Sequence, residues 1–339
     1  MTNSAEKIPK HQFEPAPKTN LESEKIERPQ ISATKDAWLR VRKNKGALVS
    51  IAVLLFVIVM AIIGPYLSPH DGYEQNVTRA NLPPRVPVLE DMGIFDGSHE
   101  VGGVEENKYK DLNIEEYYWF GTDSLGRDLF TRVWLGTRVS LYIAILAAVI
   151  DMIIGVTYGL ISGFKGGQVD NVMQRILEVI SGIPNLIVVI LMLLILKPGI
   201  LSITIAMVIT GWIGMARVVR GQSLKLKDQE YILASRTLGS SNGRLLFKHL
   251  LPNLSGVIII NTMFTIPSAI FFEAFLSFIG IGLQAPEASL GTLIEEGYQT
   301  FQFLPHLMII PCIVICIILI TFNLIGDGLR DAFDPKMRD

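Results

Sequence analysis

Two carboxylates stand where carboxylates are costly: Asp151 near the middle of one long apolar run and Glu273 within another. An ionisable side chain in such a run is a functional candidate by default. Each either lines a path through the protein, where it could hold a ligand's amino group, or bonds a neighbouring helix or backbone. Two cysteines, Cys312 and Cys316, lie about one helical turn apart in a third apolar run. With no His or Cys set at metal-ligand spacing, they are expected to pack rather than bind a metal. A phosphate cradle needs a Gly-rich loop ending in Gly-Lys-Ser or Gly-Lys-Thr, and no Gly-Lys pair occurs. There is no His-Glu-x-x-His zinc helix, and no Gly-x-Ser-x-Gly nucleophile turn is expected. The expectation is a protein that is not an enzyme, with no cofactor and no resident metal.

The runs that carry these residues imply a bilayer. Half of the 339 residues are hydrophobic and 18% are charged, with a mean hydropathy of +0.40, which leaves too little polar surface for a soluble domain of this length. The net charge of -2 averages basic and acidic segments and gives no ground for a nucleic-acid partner. A spanning helix needs about 20 apolar residues to cross about 30 Å of hydrocarbon. Six runs pass: Ala47 to Tyr66, Val139 to Ile161, Met173 to Leu196, Leu201 to Val219, Ser255 to Ile279 and Leu307 to Ile325. Arg175, Glu178 and Pro184 interrupt the third. Pro184 and Pro267 are expected to shape or kink their helices.

Lys and Arg set the orientation. Lys35, Arg40, Arg42, Lys43 and Lys45 precede the first run. Arg217, Arg220, Lys225, Lys227, Arg236, Arg244 and Lys248 separate the fourth and fifth, and Arg330, Lys336 and Arg338 follow the sixth. The segment from Gly282 to Pro305 has Glu287, Glu295 and Glu296 but no Lys or Arg. The fold class expected is therefore an all-α, multi-pass cell-membrane protein of six transmembrane helices with both termini inside. Residues 1–45 form a cytoplasmic leader, polar and Pro-rich through Pro9, Pro15, Pro17 and Pro29 and mostly disordered to about Thr34. Residues 46–66 form the first helix, 67–138 an acidic extracellular loop long enough to fold locally, 139–325 a five-helix core and 326–339 a cytoplasmic tail. No internal repeat is visible, and the long first run is read as a retained helix rather than a signal peptide.

Within the core, residues 222–252 form a cytoplasmic loop with its own structure. A short helix begins near Asp228, a candidate N-cap, and places Tyr231, Ala234 and Leu238 on one face. Gly239 can take the left-handed conformation that closes it, and Ser240, Ser241 or Asn242 can cap a second short helix. That second helix carries Leu245, Leu246, His249 and Leu250 and is expected to end at Pro252. The shape is a helix-turn-helix with an apolar face and a basic rim, suited either to a protein partner or to lipid headgroups.

Leu233-Ala234-Ser235, three residues, Gly239, nine residues, and His249-Leu250-Leu251-Pro252 resemble the coupling loop of ABC importer permeases. The pattern there is Glu-Ala-Ala, three residues, Gly, nine residues, Ile, any residue, Leu-Pro. Leu233, Ser235 and His249 depart from it. The run Trp119-Phe120-Gly121-Thr122-Asp123-Ser124-Leu125-Gly126-Arg127-Asp128, with Arg132, Gly136, Arg138, Ser140 and Leu141, is similar to the segment before the second span of C-type peptide-importer permeases. Gly211-Trp212, Ala216-Arg217, Arg220-Gly221-Gln222, Glu273 to Gly280 and Gly326 to Pro335 match later family segments. The long leader and outer loop look more like the oligopeptide branch. The resemblance implies a permease that forms a translocation path with a homologous permease. Two ATP-binding subunits dock on Tyr231, Ala234, Ser235, Leu238 and Gly239, and an extracellular substrate-binding protein delivers a peptide, whose amino terminus Asp151 or Glu273 could bind. Nickel chelates or glutathione are alternative cargoes. A proton-coupled secondary carrier using those two carboxylates, or a membrane scaffold that senses ligand through the outer loop, are the rivals from other classes.

Overall fold

The computed structural model describes residues 33–87, 89–101 and 104–333; the leader up to residue 32, with its expected disorder, and Asp334 to Asp339 lie outside them. The elements in chain order begin with α1 (Ala33–Val41) and α2 (Lys45–Ile63), followed by β1 (His99–Val101), β2 (Val104–Glu106) and α3 (Lys108–Asp111) in the segment between the first two spans, the expected outer segment. The core then contains α4 (Leu129–Ile150), α5 (Val156–Lys165), α6 (Gly167–Ser181), α7 (Asn185–Leu196), α8 (Ile200–Thr210), α9 (Ile213–Lys227) and α10 (Glu230–Thr237). It closes with α11 (Asn242–Arg244), α12 (Leu251–Phe278), α13 (Leu290–Gln299) and α14 (His306–Phe333). One π turn, Asp151–Gly155, joins α4 to α5, and another, Leu245–Leu250, joins α11 to α12. Five continuous stretches are long and apolar enough to span, and α6 with α7, bent by 74° at the Gly182–Pro184 break, is either a broken sixth span or a re-entrant loop. Among the described residues the fold is helical apart from the β1–β2 hairpin.

Several boundaries differ from the expected ones, each for a local reason. The second span starts at Leu129, ten residues before Val139. Asp128 caps it by accepting from the Thr131 N–H at 3.0 Å, and the charges that resemble loop residues meet partners within the protein. Arg132 reaches Asp123 at 3.2 Å and Glu296 at 2.9 Å, while Arg138 donates to the Ala61 and Ile62 carbonyls. The fifth span is one helical stretch from Asn242 to Phe278, so Pro252 does not end a helix. The π turn before it shifts the hydrogen-bond register, and the Leu251 N–H bonds the Leu246 carbonyl five residues back, at the point where proline would otherwise interrupt an α-helical ladder. The last helix continues past Ile325 to Phe333. Gly328 lets it press against Ala47 of α2, whose Cβ would lie 2.5 Å from any Cβ at that position.

The tightest helix pairing has a simple sequence basis. Gly155, Gly159 and Gly163 recur every four residues and line one ridge of the π turn and α5. A Cβ at these positions would stand 2.7 Å from Met215 Cβ, 2.5 Å from the Ala216 carbonyl oxygen and 2.7 Å from Ser223 Cβ, all on α9. Small residues at that period let two backbones approach within a membrane, where close packing replaces hydrophobic drive. A bidentate pair at the end of this ridge, Arg220 to Asp170 at 2.6 and 2.7 Å, adds α6 to the same body.

The outer segment folds around Leu82, Tyr109 and Tyr118, all buried. The Arg85 guanidinium lies 5.3 Å from the Tyr109 ring centroid and 4.6 Å from that of Tyr117, and bonds Glu90 at 2.8 Å. Gly121 (φ +80) and Gly126 (φ +76) leave no room for a side chain, since a Cβ would fall 2.3 Å from the Leu82 carbonyl oxygen and 1.9 Å from that of Asn76. Arg127 binds Asp123 at 2.7 Å and Glu296 at 3.2 Å, fastening the outer segment to α13.

Candidate functional site

Two places merit description: the loop after α9 and a cavity among the spans. The first short helix starts at Glu230, with Gln229 as its N-cap residue, and Asp228 instead terminates α9. This corrects the expected Asp228 cap. Ile232 is fully buried and packs with Leu160, Phe164, Val219, Leu245 and Leu250, so the helix is anchored from behind. Arg236 adds a cation–π contact to Phe164 at 5.5 Å. The opposite side is open: Tyr231 is 41% and Leu238 87% exposed, and Ala234 is exposed and Ser235 half-buried.

Gly239 has φ +84. Its N–H bonds the Arg236 carbonyl at 3.0 Å and the Ser240 N–H bonds the Ser235 carbonyl at 3.1 Å, the paired pattern of a Schellman stop. Ser241 then caps α11 by accepting from the Arg244 N–H at 3.4 Å. Gly239-Ser240-Ser241-Asn242-Gly243 spells Gly-x-Ser-x-Gly, contrary to the sequence expectation that no such string would occur. Ser241 here joins helix to helix and caps the second, which is not the strand-to-helix turn of a hydrolase nucleophile.

The cavity, about 430 Å³, lies between the α4–α5 π turn, α7, α8, α9 and α12. Asp151 lines it with Asn185, Thr210, Asn261, Thr265 and Ser268, while Met207, Met215, Phe264 and Phe272 supply apolar wall. Asp151 is 4% exposed; its Oδ2 accepts from Thr265 Oγ1 at 2.7 Å, and its Oδ1 is buried without a partner. Glu273, fully buried, does not line the cavity. It joins helices instead, accepting from Ser140 Oγ of α4 at 2.9 Å and Ser277 Oγ of its own helix at 2.8 Å. Cys312 and Cys316 are both free, and no cluster of potential metal ligands is found among the described residues.

Long apolar stretches of this kind, with a structured loop between Ile200–Lys227 and Asn242–Phe278, mark a multi-pass membrane protein. Residues 155–339 match the family described as binding-protein-dependent transport system inner membrane component, and residues 32–84 match the N-terminal TM domain of oligopeptide transport permease C. The chain belongs to that binding-protein-dependent transport family. It is 45% identical over 331 residues to the oligopeptide transport system permease protein OppC of Bacillus subtilis (strain 168), covering 98% of this chain and 99% of that one. It is also 45% identical over 321 residues to the dipeptide transport system permease protein DppC of the same organism, covering 94% and 91%. A chain of the inward-facing MetNI methionine ABC transporter matches at 19% identity with a TM-score of 0.49, over 59% of this chain and 96% of its own.

Proposed function

We propose that the protein is the permease subunit of an ATP-driven peptide importer. It shares a translocation path with a homologous permease, takes peptide from an extracellular binding protein and leaves ATP hydrolysis to two separate subunits. Near full-length similarity to oligopeptide and dipeptide permeases supports the peptide cargo. Both termini and the α10–α11 loop face the cytoplasm, as the basic flanks require. The observation that carries the coupling assignment is the α10 surface. Leu238, 87% exposed, projects beside a rigid turn on a helix whose other side is locked by Ile232. An apolar residue so displayed at the end of an anchored helix suits a groove on an ATPase partner, with Tyr231, Ala234, Ser235 and Gly239 completing the surface.

Leu238→Glu tests this. The substitution removes no buried contact, so permease abundance should remain normal, while peptide uptake and co-purification of the ATPase subunits should fall at least fivefold. Normal uptake and retention at normal abundance would refute the assignment. The cavity containing Asp151 is this chain's share of the path; Glu273 is a structural bond between α4 and α12 and plays no part in it.

A further inference from the structure

We infer that Asp151 is the acceptor for the ammonium group of the transported peptide, an assignment that rests on the importer reading above. Three observations converge on it. One oxygen of a 96%-buried carboxylate, Asp151 Oδ1, has no protein partner, although the other is held by Thr265 at 2.7 Å. The group lines a cavity of about 430 Å³, inside the size range of small-molecule sites. No Lys, Arg or His is among the lining residues, so among the described residues the carboxylate has no cation to neutralise it there, and a buried charge without a partner is costly.

The remaining lining fits the same ligand. Peptides differ in their side chains but share an amino-terminal ammonium, so a site that serves many sequences needs one fixed anion and adaptable walls. Met207 and Met215 provide flexible, polarisable surface, and Phe264 and Phe272 provide aromatic rings, a residue type whose faces attract cations. Thr265 fixes the orientation of the carboxylate through Oδ2 and leaves Oδ1 for the ligand. Glu273 lacks this arrangement, because both of its oxygens accept from serines.

The test is ATP-driven uptake of a peptide with a single amine by the full assembly in proteoliposomes, with its binding protein. Asp151→Asn keeps the size of the side chain and an acceptor for Thr265, and should lower the maximal rate at least tenfold. Asp151→Glu, which keeps the charge, should retain at least a third of it. Thr265→Val, which removes the orienting bond but leaves the carboxylate and its charge, should lose clearly less of the rate than Asp151→Asn. Asp151→Asn importing at the wild-type rate overturns the inference. Equal losses in Asp151→Asn and Thr265→Val also overturn it, because they would reduce Asp151 to a link between helices. A carbodiimide, which condenses a carboxylate and an adjacent amine to an amide while taking up the oxygen as a urea, identifies the amine. An Asp151–peptide amide with a free amino terminus, lost when that terminus is acetylated, supports the assignment. With a second peptide that also carries a lysine, an amide formed only through the lysine side chain overturns the amino-terminal source. If wild type imports no peptide at all, the importer reading itself fails and the inference falls with it, a result distinct from a defect confined to Asp151 variants.

Discussion

Replacing Gly239 by Ala perturbs the proposed coupling surface through the backbone alone. No heavy atom lies within 4 Å of a Cβ built at this position, so the added methyl meets nothing. The residue has φ +84, however, and the left-handed region costs an L-residue about 1–2 kcal/mol. Because about 1.4 kcal/mol is tenfold in an equilibrium, Gly239→Ala should reduce the balance between the formed and opened turn by roughly tenfold. Gly239→Asn should cost less, since Asn tolerates this region, and Gly239→Val more, since β-branched residues are rare there. Titrating purified ATPase subunits onto the permease in nanodiscs should give an affinity series Gly, Asn, Ala, Val, with Ala weakened roughly three- to tenfold; that range is the turn's tenfold cost reduced wherever binding recloses the turn. Uptake measured at matched abundance should follow the same order. A flat series, or Asn weaker than Val, would refute the idea that the Schellman turn presents Leu238 to a partner.

Three further outcomes follow from the packing, charge and topology. Gly159→Leu forces a side chain against the Ala216 carbonyl oxygen, 2.5 Å from the Cβ position. It should lower stability by about 1–3 kcal/mol or more in thermal denaturation, whereas Gly221→Ala, with open space around its Cβ position, should not. In the outer segment, the Tyr117 hydroxyl and then Arg85 hold Glu90 below its ordinary value of 4.5. Its contribution is therefore complete above pH 4.5 and lost as pH falls through the lowered value. Proteolysis of the outer segment should accelerate below that pH, and Glu90→Gln should flatten the profile; an identical profile in the variant would exclude Glu90 as the cause. Finally, with Cys312 and Cys316 replaced by Ala, an impermeant thiol reagent on intact cells should label Ser98→Cys but not Ser241→Cys, and the reverse would overturn the orientation.

Helix length and class were legible because the bilayer imposes a minimum apolar run, and the bend near Pro184 followed from residues that interrupt such a run. The start of the second span was not legible. Arg132 and Arg138 resemble loop residues until Asp123, Glu296 and the Ala61 and Ile62 carbonyls are seen to receive them, and Glu296 is 164 residues from Arg132. The exposed face of α10 was drawn from its spacing, but its anchor, Ile232, was missed because its partners come from α5, α9 and the π turn before α12. The triplet Gly155, Gly159 and Gly163 is visible as a four-residue period, but the period alone does not say which helix it meets. The free oxygen of Asp151 depends on which way Thr265 turns, and no local pattern encodes that.

The glycine ridge has a mechanical consequence. Where Gly155, Gly159 and Gly163 bring α5 against α9 at near-backbone distance, the two helices have little slack and move as one stiff rod. One end of that rod continues into α10 and the exposed Leu238; the other begins at the π turn that holds Asp151. A displacement of the α10 end would thus reach the cavity wall as translation or tilt rather than being absorbed by bending along the way. The wide turn at Asp151–Gly155, where the helical ladder is already loosened, is where that rod can pivot against α4.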